Sequence, residues 1–244
     1  ALVGLLNAFW ESKGVANAEE FRQFSAPVVP LARFSKAVYK NNEQFTADIE
    51  IANYSSEEIN NKNIKWALTN ASGQPLQEGI IPLTNIKIGG GNIAGKISCS
   101  LSEVKKAERL ALRVSIENSS YKNTWNIWVY PATLTIEKEE IVVTDKLTET
   151  QKALAAGKTV LFNPPYQLCA GLQGKFVPVF WSPVHFPKQA GTMGLLLDPT
   201  HKAFAHFPTE GHTNWQWWSL TTQSRTLVID SIYQHITPLV ECVD

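Results

Sequence analysis

The chain has 244 residues, long for one domain and comfortable for two of about 100–150 residues each. Its 22 basic and 22 acidic side chains balance, and charged residues make up only 18%, so no field steers it toward polyanions and nucleic acid is not an expected partner. The longest apolar runs, such as Val177 to Trp181 and Met193 to Leu197, fall far short of the roughly 20 residues that cross a bilayer, so no membrane contact is expected.

The opening "ALVGLLNAFWESKG" has neither an initiator Met nor a basic n-region, so it reads as a piece of something longer and says nothing about targeting. A helix is predicted within residues 1–26. Asn17 is its N-cap and Glu20, three residues on, completes a capping box in which the two side chains satisfy each other's backbone N–H groups. Phe21 and Phe24 give it an apolar edge. Pro27 and Pro30 bracket "PVVP", where neither ring nitrogen can donate, and the first boundary falls there.

Residues 28–137 change to a period of two. "FTADIEIANY" alternates Phe45, Ala47, Ile49 and Ile51 against Thr46, Asp48 and Glu50, which turns one face to a core and the other to water. The alternation recurs at Ile64, Trp66 and Leu68, at Leu110, Leu112, Val114 and Ile116, and at Trp125, Ile127 and Val129. "NASGQP", "IGGGN" and "ENSSYKN" supply turns between them. Short strands at this spacing predict an antiparallel β-sandwich of immunoglobulin type. The glycines 89–91 precede no helix start, so they read as a hairpin or loop device and not as a phosphate cradle.

Residues 138–244 change character again. "EIVVTD" and "KTVLFNPP" are short β-branched runs, and between them "KLTETQKALAAG" offers helix formers ended by Gly157, which tolerates a left-handed C′ position. Strand, helix and strand in about 25 residues predict a βαβ unit and hence a parallel sheet covered by helices. "VPVFW", "MGLLLD", "TLVID" and "PLVECVD" are further strand candidates, and the region is expected to be an α/β domain.

Asp198 precedes Pro199 and reads as a turn or cap residue. Glu210, in the polar stretch "FPTEGHTNW", is the strongest single candidate for a ligand contact. The five histidines, His185, His201, His206, His212 and His235, never take the i, i+4 spacing of a zinc-binding helix. Cys99, Cys169 and Cys242 are odd in number and irregularly spaced, which implies neither a disulfide framework nor a zinc site. Cys169 in "YQLCAGLQG" lacks a clear strand-to-helix elbow and a downstream His-x-Glu pair, which leaves an amidotransferase-like enzyme as a poor runner-up. Ser182 lacks the flanking glycines of a nucleophile elbow. No catalytic residue, metal or cofactor is therefore predicted.

"HTNWQWWSL" packs three of the eight tryptophans into four positions. If the stretch is extended, Trp215 and Trp217 share one face and Trp218 takes the other, so at most two form a flat sugar platform. Rings of this size more often serve cores or interfaces. Trp181 and His185 in "FWSPVHFP" are expected to join Glu210, His212, Trp215 and Trp217 if the cluster meets carbohydrate.

Several long phrases, "LVGLLNAFWESKG", "NAEEFRQFSAPVVPLARF", "NTWNIWVYP", "VFWSPVHFPKQAGTMGLLLDP" and "HFPTEGHTNWQWWSL", resemble the C-terminal region of bacterial glycoside hydrolase family 2 proteins, the β-galactosidase-like group with sugar-binding modules. The likeness covers essentially the whole chain. It implies that residues 1–27 are a linker following a catalytic (β/α)₈ barrel, that 28–137 are the immunoglobulin-like sandwich, and that 138–244 are a three-layer α/β accessory domain, glutamine-amidotransferase-like or flavodoxin-like. The family's catalytic glutamates lie on the barrel, so no position here inherits them. The expected role is non-catalytic, with the parent's own barrel as partner, oligosaccharide as a further one, and a periplasmic or extracellular location. An independent carbohydrate-binding module built on the cluster from Trp215 to Trp218 is the alternative.

Overall fold

The computed structural model describes residues 4–134, 141–174, 194–229 and 237–243. They are mostly β-sheet and fall into two compact units, residues 1–132 with 205–208, and 133–204 with 209–244. Among them no helix is long and apolar enough to cross a membrane.

The first unit opens with helix α1 (Ala18–Phe24), which forms where its capping box predicts. Asn17 Oδ1 accepts from the Glu20 N–H at 2.9 Å, and a Glu20 carboxylate oxygen accepts from the Asn17 N–H at 2.8 Å. Two turns are too short to be stable alone. The apolar edge is only partly covered: Phe21 and Phe24 pack edge-on at 5.1 Å, and both stay exposed.

Eight strands follow: β1 (Val28–Arg33), β2 (Val38–Lys40), β3 (Gln44–Asn53), β4 (Ile59–Thr69), β5 (Pro75–Ile86), β6 (Gly89–Ser100), β7 (Glu108–Ile116) and β8 (Lys122–Tyr130). They make a three-stranded sheet in the order β1-β3-β6 and a five-stranded sheet in the order β2-β8-β7-β4-β5. One core lies between the two sheets. Phe45, Ile49 and Ile51 from β3 meet Ile64 and Leu68 from β4 and Leu110, Leu112 and Val114 from β7, all essentially inaccessible to water. The period of two predicted these positions, and burying each such side chain contributes about 1.5–3 kcal/mol.

Four details depart from the expected pattern. The sandwich is not wholly antiparallel, because β2 runs parallel to β8; a parallel pair needs a long crossover, and here the strands between β2 and β8 supply it. Trp128 is buried although Lys122, Thr124 and Asn126, which share its face of β8, are exposed. The glycines 89–91 are neither hairpin nor open loop but the start of β6, where the register against β3 shifts. Gly89 (φ 118°) and Gly91 (φ 75°) take the left-handed backbone that this bulge requires. Pro30, read as a boundary, lies inside β1, where a missing N–H is harmless because β1 is an edge strand.

In the second unit β9 (Ile141–Thr144), α2 (Leu147–Ala155) and β10 (Thr159–Phe162) form the predicted βαβ unit, with β9 and β10 parallel. Gly157 ends α2 at φ 72°: its N–H donates to the Leu154 carbonyl at 2.9 Å and the Lys158 N–H donates to the Ala153 carbonyl at 3.0 Å, a Schellman closure. β11 (Gly194–Leu197) and β12 (Val240–Val243) make a separate antiparallel pair. The described residues of this unit therefore hold two small sheets and not one wide parallel sheet. Residues 226–229 of the strand candidate "TLVID" are irregular, and "VPVFW" lies outside the described residues.

Candidate functional site

The aromatic cluster is helical and not extended. Asn214 caps a 3₁₀ turn over Trp215–Trp217, its Oδ1 accepting from the Gln216 N–H at 3.0 Å, and the turn runs into α3 (Trp218–Thr222). A capping Asn at the head of the stretch is the signal for this, and it outweighs alternation.

Helical winding reassigns the tryptophans. At about three residues per turn, positions 215 and 218 share a side, and both indoles are open to solvent, at 62% and 49%. Trp217 turns inward at 6%, donates its indole N–H to Thr209 Oγ1 at 2.8 Å, and meets Phe204 edge-on at 6.0 Å. Trp217 is thus an anchor and not a platform residue, and Trp218 replaces it beside Trp215. Behind Trp217 lies a largely apolar cavity of about 980 Å³, lined also by Leu195, Leu220, Leu227, Val228 and Val240.

The polar residues are drawn in by the same cap. Asn214 Nδ2 donates to Glu210 Oε2 at 3.0 Å, so one asparagine caps the turn and holds the carboxylate. The backbone between Glu210 and Asn214 is pinned to β11: the Leu197 N–H donates to the Gly211 carbonyl at 3.2 Å, and His212 bridges Leu196. His212 Nε2 stands 3.6 Å from Glu210 Oε2, with its own side chain largely exposed. Of the predicted site residues, Glu210, His212 and Trp215 gather around Asn214, and Trp217 lies beneath. Trp181 and His185 lie outside the described residues.

Other candidates take structural places. Asp198 accepts from the Thr200 hydroxyl at 2.6 Å and from the Thr200 N–H at 3.0 Å, which holds its carboxyl below the usual range and closes a turn, as predicted for an Asp before Pro199. Cys169 is buried, and its thiol points at the Pro165 carbonyl at 3.7 Å.

A second exposed aromatic pair sits in the first unit. Asn7 Oδ1 accepts from the N–H groups of Phe9 (2.8 Å) and Glu11 (3.0 Å), its Nδ2 donates to the Glu11 carboxylate at 2.8 Å, and its own N–H donates to the Glu11 carbonyl at 2.9 Å. The tight turn so tied presents Phe9 and Trp10 at 81% and 83% exposure, with Trp10 at φ 64°. A bulky residue in that region costs on the order of 1–3 kcal/mol and persists only where its surroundings over-determine it.

Two family descriptions match the sequence: residues 43–131 match Domain of unknown function (DUF8488), and residues 142–244 match Domain of unknown function (DUF8487). No curated protein matches the chain in sequence. Among solved structures it is similar to the Pseudomonas fluorescens alkylpurine DNA glycosylase AlkC bound to DNA containing an abasic site analog (10% identity, 43% of this chain and 31% of that chain, TM-score 0.32). It is similar also to the Parabacteroides merdae β-glucuronidase with glycerol in its active site (11% identity, 42% of this chain and 13% of that chain, TM-score 0.28). A calcium-binding mutant of Bacteroides uniformis β-glucuronidase 2 shows 15% identity over 43% of this chain and 13% of that chain, at a TM-score of 0.24. The chain thus spans less than a third of the length of each. At these scores the likeness is faint and carries no statement about activity.

Proposed function

We propose that the chain is a non-catalytic accessory region of a β-galactosidase-like glycoside hydrolase, in which an immunoglobulin-like sandwich and an α/β unit support a catalytic barrel of the same parent protein. The observation that carries this reading is the exposed turn at Phe9 and Trp10, two large apolar side chains held out on a strained, hydrogen-bonded backbone. Aromatic anchors presented on rigid backbone are what buried interface centres use. The long sequence phrases that resemble family 2 supply the identity of the partner, and they make a periplasmic or extracellular setting part of the proposal. The test has two arms. The purified chain should turn over no aryl glycoside; activity that survives purification overturns the reading. The chain should also bind a separately produced barrel, and Phe9→Ser with Trp10→Ser should weaken that binding about a hundredfold without lowering the chain's own Tm.

A second reading, contact with glycan, is favoured by Trp215 and Trp218. Two exposed indoles on one side of a capped turn, beside a fixed carboxylate, match the apolar faces and hydroxyl edges of a pyranose. Calorimetric titration with oligosaccharides tests it, with Trp215→Ala and Trp218→Ala expected to lower affinity at unchanged stability.

A further inference from the structure

We infer that the cavity behind Trp217 is a binding site for a small uncharged molecule with an apolar, ring-shaped body. It is separate from the solvent-facing indoles of Trp215 and Trp218 and independent of both readings above.

The cavity lies wholly within the second unit, and the backbone fixes its walls. The register of β11 and β12 sets Leu195 opposite Cys242, and Val240 lies two residues before Cys242. All three therefore share one face of the ribbon, and all three line the cavity. Trp217 enters from the 3₁₀ turn, Leu220 from α3, and Val228 from the irregular stretch that follows. Leu172 enters from a segment laddered to residues 224–226. The Gly171 N–H donates to the Thr226 carbonyl at 3.1 Å, the Thr226 N–H to the Leu172 carbonyl at 3.0 Å, and the Gly174 N–H to the Ser224 carbonyl at 3.0 Å. So close an approach requires glycine: a Cβ on Gly171 would collide with Thr226, and one on Gly174 with the Thr221 carbonyl. These bonds hold the walls apart, so the space is part of the fold.

The lining names the ligand. Leu172, Leu220, Val228 and Val240 are all left open to water, and they converge on this one hollow, where a ligand that covers them removes apolar surface from solvent. Trp217 offers its ring, since its one polar atom is committed to Thr209 at 2.8 Å. An indole face or edge favours a second ring, offset or edge-on. The charged lining residues are engaged elsewhere. Arg225 Nε donates to the Gly171 carbonyl at 2.7 Å and its guanidinium lies over the Tyr166 ring at 5.3 Å, so it is part of the wall. Glu241, the register partner of Leu196, falls on the other face of the ribbon. An ionised ligand would give up hydration here for an apolar surface, which is costly. The volume of about 980 Å³ lies within the roughly 300–1,000 Å³ of small-molecule sites.

The experiment is isothermal titration of the full chain at pH 7 with 1-naphthol, which is uncharged, and with 1-naphthoate, an anion with the same ring system. 1-Naphthol should bind once per chain with a Kd on the order of 0.1 mM, and 1-naphthoate about tenfold more weakly or worse. Leu220→Glu puts a carboxylate on the wall at a half-exposed helix position, so Tm should hold while 1-naphthol affinity falls about tenfold. Should that variant unfold, Val228→Glu, at an exposed position outside any helix or strand, should give the same loss. Trp215→Ala should leave 1-naphthol binding unchanged. A loss there would put the ligand on the indole face and overturn the inference. So would the absence of saturable 1-naphthol binding, binding unaltered in the folded cavity variant, or 1-naphthoate binding as tightly as 1-naphthol.

Discussion

Trp217 donates its indole N–H to the Thr209 hydroxyl across 2.8 Å, so the central tryptophan of the cluster is tied from inside while its neighbours Trp215 and Trp218 face water. Trp217→Ala should remove about 3–5 kcal/mol of stability, the range for truncating a buried tryptophan. Trp217→Phe should cost about 1 kcal/mol beyond the lost ring area, for the hydrogen bond. Trp215→Ala should stay within about 0.5 kcal/mol of the natural protein. Urea unfolding of the three variants checks the order.

Asn53 is fully buried in β3 and spends its whole amide on neighbours. Its Nδ2 donates to the carbonyls of Glu57 (2.9 Å) and Ile86 (3.4 Å), and its Oδ1 accepts from the N–H and hydroxyl of Ser55. Asn53→Leu strands several of these groups, and each one left unsatisfied costs about 1–3 kcal/mol. The variant should lose roughly 2–4 kcal/mol in thermal or urea unfolding.

Gly79 in β5 lies opposite Trp66 in β4, and a Cβ placed there would stand 2.8 Å from the indole ring. Gly79→Ala should cost about 1–3 kcal/mol as an overpacking change. Combining it with Trp66→Leu should return part of that loss, so a double-mutant cycle should show coupling above about 0.5 kcal/mol. Additive effects would rule out the contact.

Cys99 is buried in the sandwich core, and burial pushes its thiol up to about 11. At pH 8 it should stay unlabelled by iodoacetamide in the folded protein and react once urea unfolds the sandwich. Peptide mapping after timed labelling distinguishes this from reaction in the native state.

Glu50 is held below the ordinary carboxylate value of about 4.5, first by its hydrogen bond from Arg33 at 2.7 Å and then by the guanidinium charge. Because the folded value is depressed, the contribution to stability is present above about pH 4.5 and is lost as pH falls through the folded value. Glu43, beside Lys36, and Glu117, beside Lys65, have the same sign. Tm should fall below pH 4.5, and Glu50→Gln should flatten that fall while lowering Tm slightly at pH 7.

Much of the sandwich was legible from alternation because a strand with one buried face must repeat every second residue. Phe45, Ile49, Ile51, Leu110 and Leu112 follow that rule without exception. Trp128 escaped it, being buried on the face of β8 where Lys122, Thr124 and Asn126 stay exposed. The capping box at Asn17 and the closure at Gly157 were equally plain, because each satisfies backbone groups only a few residues away. At the candidate site, Glu210, His212 and Trp215 lie close in the sequence and come together around Asn214, whereas which of Trp217 and Trp218 is buried was not legible. It depends on winding, and a three-residue turn set by Asn214 overrode the extended reading.

The sequence by itself determined the local and periodic features: the helix ends, the inward face of the core strands and the βαβ unit. Only the tertiary structure decided that β2 pairs with β8, that the glycines 89–91 form a bulge against β3, and that Trp217 is buried while Trp215 and Trp218 are not. The two strand features are settled by which distant segment lies across the strand, and such a partner leaves no period in the local sequence, whereas the burial of Trp217 follows from the winding of the turn that Asn214 caps.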